Sequence, residues 1–120
     1  MQYLLLIYTD EKANAKRMES MSEAERNADF GKWMTYTEDL KKAKVFVAGD
    51  ALQPTPTATS VRLRDSEQIV SDGPFAETKE QLGGYYMLDV DNLDAALTWA
   101  AKCPGAANGT VEVRPVMVFE

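Results

Sequence analysis

The chain has 120 residues, enough for one domain with one hydrophobic core, and 45% of them are apolar. Its net charge of −6 and its lack of any Lys/Arg cluster exclude a typical nucleic-acid-binding protein. With one cysteine and no histidine, it cannot form an intrachain disulfide, a His-based catalytic triad or a His-ligated zinc or iron site.

The first half of the chain predicts a strand, a long helix and a second strand. Residues 2–8 are apolar and predict the first strand, whereas residues 10–20 are polar and predict a loop or a short helical turn. Ser22 and Glu25 have the spacing of a capping box, which opens a helix over residues 22–42. Residues 45–52 predict the second strand. The expected apolar face of the helix contains Phe30, Trp33, Met34, Thr37 and Leu40.

The second half predicts a hairpin, a long strand, a helix and a final strand. Residues 53–59 contain two prolines and three threonines and predict an extended linker, followed by a small hairpin at 60–64 and 68–71. Residues 84–90 and 111–119 predict two further strands. Between them, Asn92 or Asp91 caps a helix that ends near Cys103, because Pro104 and Gly105 cannot continue it. Its expected apolar face contains Leu93, Ala96, Leu97 and Ala100.

This order predicts an α+β fold, a ferredoxin-like β-α-β-β-α-β subunit with an added hairpin strand. Residues 4–7, 45–48 and 85–88 are apolar at consecutive positions, so both faces of their strands are apolar. Two helices cover only one face of such a sheet, and a large bare apolar face is not expected on a monomer. We therefore expect a homodimer in which two sheets face each other as a dimeric α+β barrel.

The segment from Asp72 to Tyr86 reads Asp-Gly-Pro-Phe-Ala-Glu-Thr-Lys-Glu-Gln-Leu-Gly-Gly-Tyr-Tyr. It combines a turn, four charged side chains, a glycine pair and two aromatic residues. A loop rich in carboxylates that leads into a buried strand is a candidate ligand site. Together with residues 47–54, 93–100 and 109–116, this segment resembles the DGPF branch of the bacterial YCII-related family.

The resemblance covers almost the whole chain, so it implies one YCII-related domain over residues 1–120, with a ferredoxin-like subunit and a dimeric α+β barrel. Some members of the family are thought to act as small cofactor-free enzymes through a His–Asp pair. This chain has no histidine, and that mechanism does not transfer to it. We expect no metal site and no cofactor.

Several residues of the segment are candidates for binding or catalysis. Asp72 could be a general base, a ligand-binding carboxylate or a cap of its own turn. Glu77, Lys79 and Glu80 could line a pocket, with Glu77 as a second candidate base, or could belong to a solvated loop. Phe75 could stack on a ligand or anchor the core. Tyr85 and its neighbour Tyr86 should point to opposite sheet faces, one toward the helices and one toward the barrel interior.

Arg114 lies among apolar residues of the last strand. A buried arginine needs a carboxylate partner, and we expect one from residues 72–80 or from Asp50. Such a pair could hold an acidic ligand or clamp the loop.

Three functions remain open from the sequence. The first is binding of a small polar or acidic metabolite in the barrel cavity. The second is a cofactor-independent lyase, dehydrohalogenase or isomerase that uses Asp72 or Glu77 as base, and the third is a regulatory interaction module. The apolar start of the chain has no basic region or cleavage site of a signal peptide, and no segment reaches the ~18 apolar residues of a membrane span, so we expect a cytoplasmic protein with no membrane association.

Overall fold

The computed structural model describes residues 1–120 and alternates strands with helices as a ferredoxin-like subunit does. Its helices and strands are β1 Gln2–Thr9, α1 Glu11–Glu19, α2 Glu23–Lys42, β2 Phe46–Ala51, β3 Thr59–Arg64, β4 Glu67–Asp72, β5 Gln81–Asp89, α3 Leu93–Lys102, α4 Gly105–Asn108 and β6 Thr110–Pro115. A single 3₁₀ turn, Thr55–Thr57, interrupts the linker after β2. None of the helices combines the length and hydropathy that a bilayer span requires.

Four strands form an antiparallel sheet in the order β2-β5-β1-β6. Each β-α-β connection skips one strand, so β5 lies between β1 and β2, and β1 lies between β5 and β6. This topology confirms the predicted ferredoxin-like α+β fold. The β3–β4 hairpin is an insertion between β2 and β5, and it forms a separate two-stranded sheet.

Short-range chemistry sets the helix boundaries. The Ser22 hydroxyl accepts from the Glu25 amide at 3.1 Å, and the Glu25 carboxylate accepts from the Ser22 amide at 3.2 Å, which confirms the capping box. Asn92, and not Asp91, caps α3 by accepting from the Ala95 amide at 2.9 Å. Of the two alternatives predicted for residues 10–20, a loop or a short helical turn, the helical one is nearer, because Asp10 caps a nine-residue helix there. That helix buries no residue, so its sequence lacks the apolar periodicity from which a helix could be predicted.

The helices cover one face of the sheet, and the core lies between the two layers. It comprises Tyr3, Leu5, Ile7, Tyr36, Leu40, Tyr86, Leu88, Val90, Ala96, Ala100 and Cys103. The fully buried side chains are Leu5, Leu40 and Leu88. Tyr86 points toward the helices and shares a hydrogen bond of 2.8 Å with Thr37, while Tyr85 lies on the other face, as predicted.

The residues predicted for the apolar faces of α2 and α3 were partly wrong. Phe30 and Met34 of α2 are 66% and 55% exposed, because the buried residues of α2 lie only in its C-terminal half. In α3, Leu93 and Leu97 are about half exposed, and the small Ala96 and Ala100 make the close contact with the core. The N-terminal half of α2 is therefore free to border a cleft.

We expect the fold to lose stability in alkali. Burial raises the pKa of Cys103, and it also raises the pKa of Tyr36 and Tyr86. Groups whose pKa is raised on folding favour the native state fully below their unfolded values, about 8.5 for Cys and about 10 for Tyr, and this contribution is lost as pH rises through the folded values. Urea unfolding should show a falling free energy of unfolding above pH 8.5.

Cys103→Ala is the matched control for the loss of stability at alkaline pH. It removes the thiol ionisation, so the decline should start at higher pH, where only the tyrosines titrate. A free energy of unfolding that stays level from pH 7 to pH 11 would contradict the prediction.

Candidate functional site

A cleft with a volume of about 530 Å³ lies between the helices and one end of the sheet. Side chains from α1 and the N-terminal half of α2 form one wall. The ends of β1, β2 and β5, together with α4, form the other wall and the floor. Its size suits a small molecule, since ligand pockets typically measure about 300–1,000 Å³.

The inner part of the cleft is apolar and aromatic. Ile7, Trp33, Phe46 and Tyr86 line it, and the rings of Phe46 and Tyr86 meet edge to face at 6.3 Å. Gly105 lets α4 approach this wall, because a Cβ there would lie 2.7 Å from Ile7 Cγ2 and 3.1 Å from the Trp33 ring. The result is a surface that suits a flat ring.

Arg17 of α1 supplies a guanidinium to the same cleft. Its Nη1 donates to the Asp29 carboxylate at 3.3 Å, and its Nη2 donates to the Asn14 side-chain oxygen at 2.9 Å. The third donor, Nε, is buried and has no acceptor. A buried donor without an acceptor costs about 1–3 kcal/mol, so this atom favours an incoming ligand oxygen.

Two further cations of α2 line the cleft, Arg26 and Lys32. Arg26 donates to the backbone carbonyls of Met18 and Met21, at 3.4 and 3.0 Å. Neither cation forms an ion pair with a carboxylate. The lining thus carries three cations against two carboxylates, Asp29 and Asp50, a small positive excess in a chain whose net charge is −6.

A carboxylate–tyrosine pair lies on the opposite face of the sheet, which the helices leave open. The Tyr85 hydroxyl donates to the Asp50 carboxylate at 2.7 Å. This hydrogen bond raises the pKa of Tyr85, so the phenol keeps its proton. The pair can accept or return a proton only on that open face, outside the cleft.

The structure does not bring the predicted site residues together. Tyr85 belongs to a strand that borders the cleft, but its side chain points to the opposite sheet face. Asp72, Phe75, Glu77 and Lys79 are exposed at the end of β4 and in the following loop. The side chains of Asp72 and Glu77 form no hydrogen bond or ion pair, and Phe75 is 77% exposed. The ligand-binding role of these residues stays a prediction.

The expected partner of Arg114 was wrong. Its Nε donates to Glu112, two residues away on the same face of β6, at 2.8 Å, and the Arg114 side chain is 67% exposed. This ion pair lowers the pKa of Glu112. Arg114 lies on β6, an edge strand of the sheet, so water solvates it and no carboxylate from the 72–80 loop or from Asp50 is required.

Sequence reasoning missed Arg17, Arg26 and Trp33 as cleft residues. The sequence predicts a loop or a short helical turn around Arg17, and core packing for Trp33. The available signal was the Asp10 cap followed by strong helix formers, which places Asn14 and Arg17 one turn apart on one helix face. The three-dimensional proximity of α1 to α2 had no signal in the sequence.

Comparison with known proteins relates the whole chain to a described family and fold. A family model described as the YCII-related domain matches residues 1–120. An uncharacterised protein of Rhizobium meliloti (strain 1021) is 36% identical over 122 residues, which cover 100% of this chain and 95% of the relative.

A solved structure shares the fold. It is 5-chloro-2-hydroxyhydroquinone dehydrochlorinase from Burkholderia phenoliruptrix AC1100, in complex with 2,5-dihydroxybenzoquinone. The TM-score is 0.54, the identity is 12%, and the match covers 98% of this chain and 94% of that chain. At this identity the likeness concerns the fold alone.

Proposed function

The chain belongs to the YCII-related family, and we propose that this member binds a small acidic metabolite with an aromatic or quinoid ring in the cleft between α1, α2 and the sheet. The observation that carries the proposal is the buried Arg17 Nε, which has no acceptor and belongs to a side chain that lines a cleft with aromatic walls. An acidic group would meet Arg17, while the ring would lie against Trp33 and Phe46.

The charge of the cleft supports an anionic ligand. Arg26 and Lys32 have no carboxylate partner, so an entering anion would not have to displace an internal one. The dehydrochlorinase with the same fold was solved with 2,5-dihydroxybenzoquinone, a ring compound of the size and acidity that this cleft would accept. That compound is therefore a sensible first probe.

Thermal-shift screening tests the proposal. The panel contains benzoate, hydroxybenzoates and 2,5-dihydroxybenzoquinone, each compared with an uncharged analogue such as benzamide. A ligand at 100 times its Kd stabilises the fold by about 2.7 kcal/mol, which gives a clear rise in Tm. Only the acids should raise Tm, and equal effects of acids and uncharged analogues would contradict the proposal.

Asp50 and Tyr85 support a second candidate function, a cofactor-independent lyase or isomerase. Their hydrogen bond of 2.7 Å holds a carboxylate base beside a protonated phenol on the sheet face that the helices leave open. Turnover of a substrate that binds at this face should then fall by about 10²–10⁴ in Asp50→Asn, the usual range for loss of a general base. Binding without any turnover would favour the simple binding protein.

We also propose that the chain forms a two-fold homodimer through the sheet face that the helices leave uncovered. This open face carries an apolar stripe across the two central strands, made of Leu4, Leu6, Tyr8, Tyr85 and Met87. A second copy would cover the stripe with an identical one.

Leu6→Glu should dissociate this dimer, because it would bury an unpaired carboxylate at the centre of the interface. Light scattering at micromolar concentration should show a dimer of twice 13.3 kDa for the wild type and a monomer for the variant. The matched control is Leu97→Glu, on the outer surface of α3, which should stay dimeric. An unchanged mass for Leu6→Glu would place the interface elsewhere.

A further inference from the structure

We infer that Tyr86 selects the ligand of the cleft by accepting a hydrogen bond from it, so that the preferred ligand is an aromatic acid with a hydroxyl group opposite its carboxylate, as in 4-hydroxybenzoate. The inference rests on the acid-binding function proposed above and names the class of ligand more closely. Tyr86 is then a specificity-determining residue, because it distinguishes a ring that donates a hydrogen bond from a ring that only accepts one.

Two hydrogen bonds in series fix the direction in which the Tyr86 hydroxyl donates. The Thr37 hydroxyl donates to the Trp33 carbonyl at 3.0 Å, the bond to residue i−4 that threonine forms within helices. A hydroxyl has one proton, and Thr37 uses its proton for that carbonyl. The Tyr86 hydroxyl lies 2.8 Å from the same Thr37 oxygen, so the proton of this second bond comes from Tyr86.

The Tyr86 oxygen can therefore only accept a further hydrogen bond. A tyrosine hydroxyl has one donor, here directed at Thr37, and it keeps an acceptor lone pair. Both side chains line the cleft. Burial raises the pKa of Tyr86, so at neutral pH the group is a phenol and not a phenolate. A ligand hydroxyl can donate to it, whereas a methoxy or carbonyl oxygen would bring two acceptors together.

Packing holds the ring of Tyr86 in place. Tyr36 meets it edge to face at 5.3 Å, and Phe46 does so at 6.3 Å. Gly49 lies against another edge of the ring, since a Cβ there would be 2.7 Å from Tyr86 Cδ1. Tyr86 is only 9% exposed, so its hydroxyl cannot turn away from Thr37. A group fixed by its neighbours in this way is preorganised for one ligand geometry.

The two polar ends of the cleft are separated by the length of such a ligand. Asp29 pairs with Arg17 at the acid-binding end, and Thr37 contacts Tyr86 at the other end. From Asp29 to Thr37, helix α2 rises by about 12 Å. Two hydrogen bonds of about 2.8 Å leave roughly 6 Å between the carboxylate and the hydroxyl of the ligand. Para substituents of one ring span this distance, and ortho substituents lie too close together. Trp33, between the two ends, provides the aromatic wall.

Isothermal titration with matched acids tests the inference. The wild type should bind 4-hydroxybenzoate about 5- to 10-fold tighter than benzoate, 4-methoxybenzoate or 2-hydroxybenzoate, the effect expected of one hydrogen bond. In Tyr86→Phe the preference for 4-hydroxybenzoate over benzoate should fall to within about twofold, because the acceptor is gone. The matched control is Tyr3→Phe, which removes the hydroxyl of another buried tyrosine outside the cleft and should keep the full preference.

Thr37→Val tests the direction of the hydrogen bond. Valine keeps the shape of the side chain but removes the oxygen that accepts the Tyr86 proton, so Tyr86 becomes free to donate to a ligand. The preference for 4-hydroxybenzoate over 4-methoxybenzoate should then fall several-fold, toward equal binding. A merely structural change would weaken both acids alike and leave this ratio as in the wild type, which would overturn the inference.

The outcomes separate this inference from the proposed function. If benzoate and its derivatives bind but the wild type does not prefer the 4-hydroxy acid, the role of Tyr86 is overturned and acid binding stands. A preference that persists in Tyr86→Phe, or a preference for 2-hydroxybenzoate, has the same meaning. If none of the acids binds, the proposed function fails and the inference fails with it.

Discussion

Arg17→Ala should weaken the binding of an acidic ring compound about 10- to 100-fold, because a hydrogen bond to a charged group contributes about 1.5–3 kcal/mol. The fold should survive. The Arg17–Asp29 ion pair is partly exposed, and such pairs contribute about 0–1 kcal/mol. Isothermal titration with the best acid from the thermal-shift panel gives the change in Kd directly.

Two variants control for the charge and for the position of this arginine. Arg17→Lys keeps the charge but loses the planar group with its Nε donor, so it should recover only part of the affinity. Arg64→Ala removes an exposed arginine on the β3–β4 hairpin, outside the cleft, and should leave the Kd unchanged. If Arg17→Ala binds the acid as tightly as the wild type, the ligand does not use this cleft.

Leu88→Ala should lower the free energy of unfolding by about 2–5 kcal/mol, the range for truncating a fully buried leucine. Leu88 is 0% exposed and belongs to β5, a central strand, where it lies beside Tyr3 of β1. Small domains have a total stability of only about 5–15 kcal/mol, so this one change removes a large share of it. Urea unfolding measures the loss.

The matched control for this effect is Leu52→Ala. Leu52 follows β2 and is 49% exposed, so its truncation should cost less than about 0.5 kcal/mol. Equal losses for the two leucines would show that the core is not centred between the sheet and the helices as described.

Local sequence signals predicted most of the elements because their physical causes act over a few residues. The Ser22–Glu25 capping box, the Asn92 cap and the stop at Pro104 each depend on neighbours along the chain. The alternation of side chains along β5 also depends only on neighbouring residues, and it places Tyr85 and Tyr86 on opposite faces of the sheet. The order of these elements was enough to predict the ferredoxin-like fold.

The candidate site was predicted less well, because the charged segment 72–80 is informative in sequence but remote from the cleft in space. The insertion of β3 and β4 carries Asp72 away from the four-stranded sheet. Arg114 pairs with Glu112 on its own strand. Because an arginine on an edge strand is solvated, it does not need a carboxylate from a distant part of the chain. Of the predicted set, only Tyr85 belongs to a strand that borders the cleft, and its side chain points to the opposite sheet face.

By itself, the sequence determined the fold class, the helix caps and the exclusion of histidine chemistry, since each follows from residue types and short spacings. Only the tertiary structure decided where the cleft lies. Arg17, Trp33 and Tyr86 come from α1, α2 and β5 and meet because the sheet order brings their ends together. A donor such as Arg17 Nε loses its water only when those elements pack, so its missing acceptor is a property of the fold and not of the sequence.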